Sequence, residues 1–380
     1  MLMNIASIIC ELDPLHNGHK YLLDTIRDSG ADCIIACMSG NFTQRGAPAA
    51  FDKHTRAIAA LNCGADLVIE LPLTFACAGA ERFAFGGVSL LDSLGCVDSI
   101  FFGSECGDIG ALRAVSDCLA SPDLGAAIRE KLKDGITFAK AREQAVGELI
   151  GEERAMLLRS PNNILAIEYL KALSKLKSGI RPYTIKRRGA GHDSGESSDG
   201  FASASYIREL AREGGSIEGL VPKEALDILS ECIPDRISRP ELLERAVLYR
   251  LKCMSREELA ELPDISEGLE NRLYAAIRRE RSVAGILDQT KTKRYTMARL
   301  RRLVTCALLG ISRKDMEERP LYIRVLGFNE SGRSALSEIK KRSELPIVTR
   351  LSDGRKLEGK AREAFELSQK SDEIYDLCIR

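Results

Sequence analysis

Two histidines three residues apart stand in the segment Glu11-Leu12-Asp13-Pro14-Leu15-His16-Asn17-Gly18-His19-Lys20. In a first helical turn that spacing makes the imidazoles neighbours, and Gly18 between them lets a ligand approach the backbone. Imidazole and ammonium donors at a helix N-terminus, whose own N–H groups are free, suit a phosphate chain. His16, His19 and Lys20 are therefore the candidate catalytic residues. They would neutralise charge developing on an α-phosphate and on a leaving pyrophosphate, the electrostatic positioning that nucleotidyl transfer needs. Two competing readings are a pair of solvated histidines in a polar loop and a metal site. The second lacks a nearby thiolate or an obvious carboxylate set to complete it.

The elements needed to hold such a pair are legible around it. Strands are expected at Asn4 to Cys10, Asp32 to Met38, Asp66 to Leu71 and Asp98 to Phe102, with helices at Gly18 to Asp28, Asp52 to Cys63 and Ala80 to Leu94 between them. Strands apolar at nearly every position, separated by helices of this length, indicate a parallel sheet covered on both faces. Helices at Ile109 to Leu119 and Asn163 to Leu176 and a strand at Tyr183 to Lys186 extend the pattern. The fold class expected is α/β: a Rossmann-like doubly wound domain over residues 1–215, with ligands beyond the carboxyl ends of its strands. Between Gly189 and Gly200 the chain is nearly all Gly, Ser, Asp and Glu and reads as a surface loop. From 216 to 380 helical spacing dominates, as in Ala225 to Cys232, Pro240 to Leu251, Gly268 to Glu280 and Met297 to Leu309. A mainly α-helical C-terminal domain follows, with one strand expected at Leu321 to Leu326.

Composition narrows the class further. Of 380 residues 44% are apolar and 29% charged, and no apolar run approaches the roughly 20 residues of a membrane-spanning helix. The first residues lack the basic n-region of a secretory signal, so a cytoplasmic protein without a membrane partner is expected. Twelve cysteines are scattered through apolar runs with no C-x-x-C pair, which fits buried reduced thiols. Acidic and basic residues balance at 55 each, so any nucleic-acid surface must come from local clustering.

A second cluster that could serve phosphate is Phe201-Ala202-Ser203-Ala204-Ser205-Tyr206-Ile207-Arg208, where Ser203 and Ser205 would bond phosphate oxygens and Arg208 pair with them. The alternative is a helix capped by Ser203 or Ser205 with a surface arginine. Together with the histidine segment this stretch resembles the HIGH-type nucleotidyltransferase superfamily, which includes class I tRNA synthetases.

Further stretches narrow the resemblance: Gly40-Asn41-Phe42-Thr43-Gln44-Arg45-Gly46-Ala47-Pro48-Ala49, Lys53 with Arg56, Glu70-Leu71-Pro72, Phe102-Gly103-Ser104-Glu105, Pro161-Asn162-Asn163-Ile164-Leu165, Lys186-Arg187-Arg188-Gly189-Ala190-Gly191-His192-Asp193, Ile265-Ser266-Glu267-Gly268-Leu269-Glu270-Asn271-Arg272 and Lys293-Arg294-Tyr295-Thr296. In this order they resemble the bacterial tRNA(Met) cytidine acetate ligases over nearly the full chain. The resemblance implies that acetate attacks the α-phosphate of ATP, giving acetyl-adenylate and pyrophosphate. The acetyl group then passes to the wobble cytidine of elongator tRNA(Met), giving N4-acetylcytidine. It puts the ATP contacts on Ser7, Ile8, Ile9, Cys10, Glu11, Leu12, Asp13, Pro14, Leu15, His16, Asn17, Gly18, His19 and Lys20. Further contacts fall on Gly103, on Asn162, and on Arg187 or Arg188. Asn162 and Asn163 precede a helix, and one is expected on the nucleotide with the other as cap. This chain has Glu11-Leu12-Asp13-Pro14-Leu15 where many members have Glu-Tyr-Asn-Pro-Phe; Asp13 either helps hold Mg²⁺ accompanying ATP or accepts a backbone N–H.

In the helical half, Lys291, Lys293, Arg294, Arg299, Arg301 and Arg302 cluster around Tyr295 with no acid between them. Such a run supplies phosphate contacts to a folded RNA, with Tyr295 placed to stack on a base, and no DNA partner is implied. Two other readings remain open from sequence: a small-molecule nucleotidyltransferase adenylating a phosphorylated cofactor precursor, and an RNA-binding protein for which ATP is only a ligand.

Overall fold

A computed structural model describes residues 3–187, 202–266, 268–316 and 318–379. Its centre is a seven-stranded sheet formed by β1 (Ile5–Cys10), β2 (Cys33–Ser39), β3 (Leu67–Leu71), β4 (Ser99–Ser104), β5 (Arg181–Lys186), β6 (Ile323–Phe328) and β7 (Ile347–Val348). Their spatial order is β5-β4-β1-β2-β3-β6-β7. The first five are parallel; β6 runs antiparallel to β3, and β7 parallel to β6. From β1 the chain moves outward through β2 and β3, then returns to lay β4 on the other side of β1. The strand order therefore reverses between β1 and β4, and a crevice opens beyond their carboxyl ends.

The alternation of side chains along each strand divides the core. Ile5, Cys33, Ile35, Cys37, Leu67, Ile69, Ile100 and Phe102 pack on one face, with helices Ala80–Ser93, Ile109–Ala120, Pro161–Leu176 and Glu330–Arg342. Ala6, Ile8, Ile34, Ala36, Met38, Val68 and Phe101 point the other way, towards Asn17–Asp28, Lys53–Asn62, Ala204–Arg212 and Lys223–Ser230. A period of two in strands buried on both sides is what a doubly wound sheet requires.

A third core joins helices Glu244–Cys253, Leu269–Arg279, Val283–Thr290 and Met297–Leu309 to the end of helix Gly359–Asp376. This helical bundle does not account for all of the C-terminal half. The strand expected at Leu321 to Leu326 lies at Ile323–Phe328 and is the sheet's sixth strand, so the sheet draws on both sides of residue 215. Helices Pro122–Leu132 and Phe138–Ile150, for which sequence reading assigned no element, extend the first face.

One buried cation ties the sheet to the last long helix. Lys53 is 2% exposed, and its ammonium contacts Glu70 at 2.9 Å and Asp372 of the last long helix at 2.6 Å. Asn41 completes the group, accepting from the Lys53 N–H at 2.7 Å and donating to Asp372 at 2.9 Å. Burial, set against the Lys53 charge and reinforced by the Glu70 carboxylate, pushes Asp372 up to about 6. Removing the cation in Lys53→Met strands two carboxylates, and a loss of roughly 3–5 kcal/mol is expected in urea unfolding. Because the folded-state value for Asp372 lies above that of an unfolded aspartate, its contribution to stability is full below about pH 4 and is lost as pH rises through about 6. Stability should fall by about 1 to 2 kcal/mol between pH 5 and pH 8 through this group, and Asp372→Asn should flatten that slope.

Candidate active site

The histidine segment leaves β1 at the switch point. Leu12 adopts φ 50°, a left-handed conformation that costs a branched side chain of order 1–3 kcal/mol and persists only where the surroundings hold it. Its side chain and those of Leu15 and Ile8 are buried in the second core, and the Ser7 hydroxyl donates to the Ser99 carbonyl at 2.8 Å. Of the segment from Ser7 to Leu15, these four side chains are taken up by packing, and only their backbone is left for a ligand.

His16 is the N-cap of the helix Asn17–Asp28. Its Nδ1 accepts from the Gly18 N–H at 3.0 Å, while the His16 N–H donates to His19 Nδ1 at 3.3 Å. The rings stack with centroids 3.9 Å apart. A β-carbon on residue 18 would stand 2.9 Å from His16 Cε1, which is why glycine is needed between them. With both Nδ1 atoms accepting, each neutral ring carries its proton on Nε2. Burial first, then the Arg187 and Arg208 charges, lowers His16 to about 3; burial, His16 and Arg187 hold His19 well below 6.5. The pair therefore supplies neutral Nε2–H donors. The free backbone N–H groups expected here are instead engaged, since His16 caps Gly18 and the Asn17 N–H points to the Leu220 carbonyl at 3.5 Å.

Cations converge from two sides. Arg208 donates to the Asp13 carbonyl at 2.6 Å and to Ser205 Oγ at 2.9 Å, and lies 3.7 Å from the Asp13 carboxylate. Ser205 also accepts from Arg45 at 3.2 Å. Ser203 takes the capping role, accepting from the Tyr206 N–H at 3.2 Å. Asp13 accepts from the Ala50 N–H at 2.6 Å, the second of its two expected roles, and this engagement does not fit it as a dedicated Mg²⁺ ligand. On the opposite side Arg187 lies over Gly103, where a β-carbon would meet its side chain at 3.1 Å. Arg188 lies outside the described residues, as does the loop expected at Gly189 to Gly200.

Neither Asn162 nor Asn163 is the N-cap of helix Pro161–Leu176; that position is Ser160. Asn163 is buried, and its side-chain oxygen accepts from the backbone N–H groups of Glu105 and Cys106. Glu105 returns the bond to the Asn163 N–H at 2.8 Å and holds the Asn162 amide nitrogen at 2.8 Å. The Asn162 side chain is thereby fixed to Glu105, the residue that follows β4, with its amide nitrogen engaged.

The Lys20 ammonium pairs with Asp24 and stands 4.0 Å from Glu224 on the exposed side of its helix. Two expectations about side chains of the helical half are corrected. Tyr295 is 8% exposed within the helical core, with Arg299 against its ring, and presents no free face for a base. Of the basic run, Arg299 bonds the Asp264 carbonyl and Ser266, and Arg302 lies 3.8 Å from the Asp264 carboxylate. Lys291, Lys293, Arg294 and Arg301 are exposed.

Sequence reasoning missed three residues that shape the site. Arg56 is fully buried and donates to four carbonyls, those of Glu11, Ser39, Gly40 and Phe51. Glu105 organises both asparagines, and Arg45 meets Arg208 at Ser205. All three stand in stretches that carry the family resemblance, yet only the folded chain brings them together. Among the described residues no cluster of His, Cys, Asp and Glu has the arrangement of a metal site.

A parallel sheet with an imidazole pair at its switch point, flanked by arginines, is the arrangement of an enzyme that handles a nucleotide's phosphates. The profile described as HIGH Nucleotidyl Transferase matches residues 3–380, which places the chain in that class. A tRNA(Met) cytidine acetate ligase of Caldanaerobacter subterraneus subsp. tengcongensis is 42% identical over 100% of this chain and 96% of its own length. One from Clostridium acetobutylicum is 38% identical over 97% of this chain and 96% of its length. The crystal structure of Thermotoga maritima TmcAL bound with alpha-thio ATP shares 34% identity and a TM-score of 0.91, covering 99% of this chain and 95% of that one. Its apo form gives a TM-score of 0.93 over 100% of this chain and 96% of that one. The chain belongs to the tRNA(Met) cytidine acetate ligase family.

The lowered proton affinity of the pair has a direct readout. In nitrogen-15-labelled protein, the His16 and His19 side-chain signals should remain those of the neutral Nε2–H form from pH 8 down to pH 5. Two titrations with midpoints near the ordinary histidine value would refute the assignment.

Proposed function

We propose that this chain is an ATP-dependent acetate ligase acting on tRNA(Met). Acetate attacks the α-phosphorus of ATP, the bond to the bridging oxygen of pyrophosphate breaks, and acetyl-adenylate forms. The exocyclic amine of the wobble cytidine of elongator tRNA(Met) then attacks the acetyl carbon. AMP leaves, the amine loses a proton, and N4-acetylcytidine remains. The observation that carries this reading is the neutral, stacked imidazole pair at the switch point between Arg187 and Arg208, in a chain aligned over its full length with relatives of that activity.

The chemistry of the first step is mainly electrostatic. His16 and His19 donate from Nε2 to the α-phosphate oxygens as charge builds on them, and their neutrality lets them serve without first losing a proton. Gly103 and Asn162 border the nucleotide at the end of β4, with Arg187 across the phosphates. Arg208 and Ser205 receive the pyrophosphate side. Mg²⁺ that enters with ATP would supply further neutralisation of the phosphates, held by their own oxygens.

The second step needs an RNA within reach. Exposed Lys291, Lys293, Arg294 and Arg301 would contact its phosphates, with the helical part of residues 216–380 as the tRNA-binding region and residues 1–215 carrying the catalytic segments. No helix among the described residues is long and apolar enough to cross a membrane.

Incubation with ATP, isotopically labelled acetate and a tRNA(Met) transcript, followed by mass spectrometry of the nucleosides, tests the whole reading. Labelled acetylcytidine at the wobble position is expected, and an unmodified tRNA overturns it. His19→Ala should slow acetate-dependent pyrophosphate release by roughly 10²- to 10³-fold, the loss typical of removing one preorganised donor. If modification proceeds undiminished in that variant, the imidazole pair is not where ATP is opened.

A further inference from the structure

Glu11 follows β1 directly at the switch point, and its backbone carbonyl accepts from the buried Arg56 guanidinium at 2.6 Å. Its side chain is half-buried, and one carboxylate oxygen, Oε1, accepts from the Gln44 N–H at 2.7 Å. Among the described residues no hydrogen bond reaches the other oxygen, and no cation comes within ion-pairing distance of the group. Burial raises its proton affinity, helped by the Asp13 carboxylate and opposed by the Gln44 bond and the more distant Arg45 and Arg208 charges. Gln44 lies in the turn between the short paired segments Phe42–Thr43 and Ala47–Pro48, and that turn is seated on helix Met297–Leu309. There the Gly46 carbonyl accepts from Thr305 Oγ at 2.9 Å, and a β-carbon on Gly46 would lie 2.4 Å from the Arg302 backbone nitrogen. Glu11 therefore stands between the histidine segment it leads into and the bundle whose exposed cations would hold the RNA.

From this geometry we propose that Glu11 is the general base of the acetyl transfer, taking the proton that the cytidine amine must lose. As the amine nitrogen bonds to the acetyl carbon, the bond from that carbon to the phosphate oxygen breaks and its electron pair leaves with AMP. The N–H proton passes to the uncommitted Glu11 oxygen and from there to water. Histidine is the commonest residue for such a task, but His16 and His19 are unsuited to it. Their Nδ1 atoms already accept hydrogen bonds, and their Nε2 atoms carry the protons of the neutral rings. The other groups bordering the crevice are committed as well. Asp13 accepts from the Ala50 N–H and faces Arg208, and Glu105 spends one oxygen on Asn162 and the other on Asn163. The Cys10 thiol, pushed up to about 12 by burial, stays protonated near neutrality. A carboxylate whose proton affinity is raised towards the working pH is better matched to proton abstraction than an ordinary one. Adenylation moves no proton, because acetate attacks as an anion, so the role of Glu11 falls on the second step alone.

This inference rests on the proposed acetate ligase reaction, and the test separates the two. Wild type, Glu11→Gln and Glu11→Asp are compared in two assays. Acetate-dependent exchange of labelled pyrophosphate into ATP reads the first step. Single-turnover transfer from synthetic, labelled acetyl-adenylate to a tRNA(Met) transcript reads the second. Glu11→Gln keeps an acceptor for the Gln44 N–H and removes the base, so transfer should slow by about 10²- to 10⁴-fold. Exchange should slow by less than about tenfold, in line with one weakened hydrogen bond. Glu11→Asp, which keeps a carboxylate on a shorter stem, should recover part of the transfer rate. Equal losses in the two assays would make Glu11 a support of the ATP site and overturn the inference. Transfer at the wild-type rate in Glu11→Gln would send the proton by another route and also overturn it. Wild-type protein that shows neither exchange nor transfer would refute the underlying reading, and this inference with it. Thermal melts that coincide for the three proteins exclude misfolding as the source of a selective loss.

Discussion

Arg56 carries its charge inside the protein at 0% exposure, and its described hydrogen bonds all go to backbone carbonyls. Those carbonyls belong to Glu11 just beyond β1, to Ser39 and Gly40 at the end of β2, and to Phe51 before the next helix. The carboxyl ends of parallel strands present carbonyls that have run out of strand partners, and leaving them buried and unbonded would cost far more than a satisfied bond contributes. One guanidinium answers that need at the place where the chain must turn away from β1 through a left-handed Leu12 into the histidine segment. The strained entry, the buried cap at His16 and the position of Asp13 all depend on this anchorage.

A second constraint runs between chain segments far apart in sequence. Lys53, next to Arg56 on the same helix face of the site, reaches Glu70 on β3 and Asp372 near the C-terminus, with Asn41 closing the group. Tyr375 adds a bond from its hydroxyl to the Ala49 carbonyl at 2.9 Å. The loop from Asn41 to Ala49 is therefore clamped by the last helix and by helix Met297–Leu309. The helical part packs directly on the loop that follows β2.

The electrostatics of the crevice follow from burial as much as from charge. Desolvation is the largest cause of the lowered proton affinity of both histidines, and the flanking arginines act in the same direction. The arginines that flank the crevice thus also help keep the imidazoles neutral. The same burial raises thiols lining the sheet, with Cys10 and Cys33 pushed up to about 12, which removes them from nucleophilic chemistry despite their number.

Much of this was legible in the order of residues. Apolar runs at Ile5, Cys33, Leu67 and Ser99 marked the parallel strands because a strand buried on both faces must be apolar on both, and the His-x-x-His spacing beyond the first strand marked the crevice. Spacing within one helical turn is local, so the stacking of His16 on His19 and the need for Gly18 were within reach of sequence reasoning. What tertiary structure decided was partnership over long separations. Tyr295 looked like a stacking surface until helices closed over it. The antiparallel strand Ile323–Phe328 reads as an isolated apolar run, and only pairing with Leu67–Leu71 makes it part of the sheet. Arg45, Arg56 and Glu105 gave no signal of their own, since a charged side chain takes its role from the atoms around it. The residue types and local spacing of the histidine segment were set by sequence; its protonation, its cations and the support beneath it were set by contacts that exist only once the chain is folded.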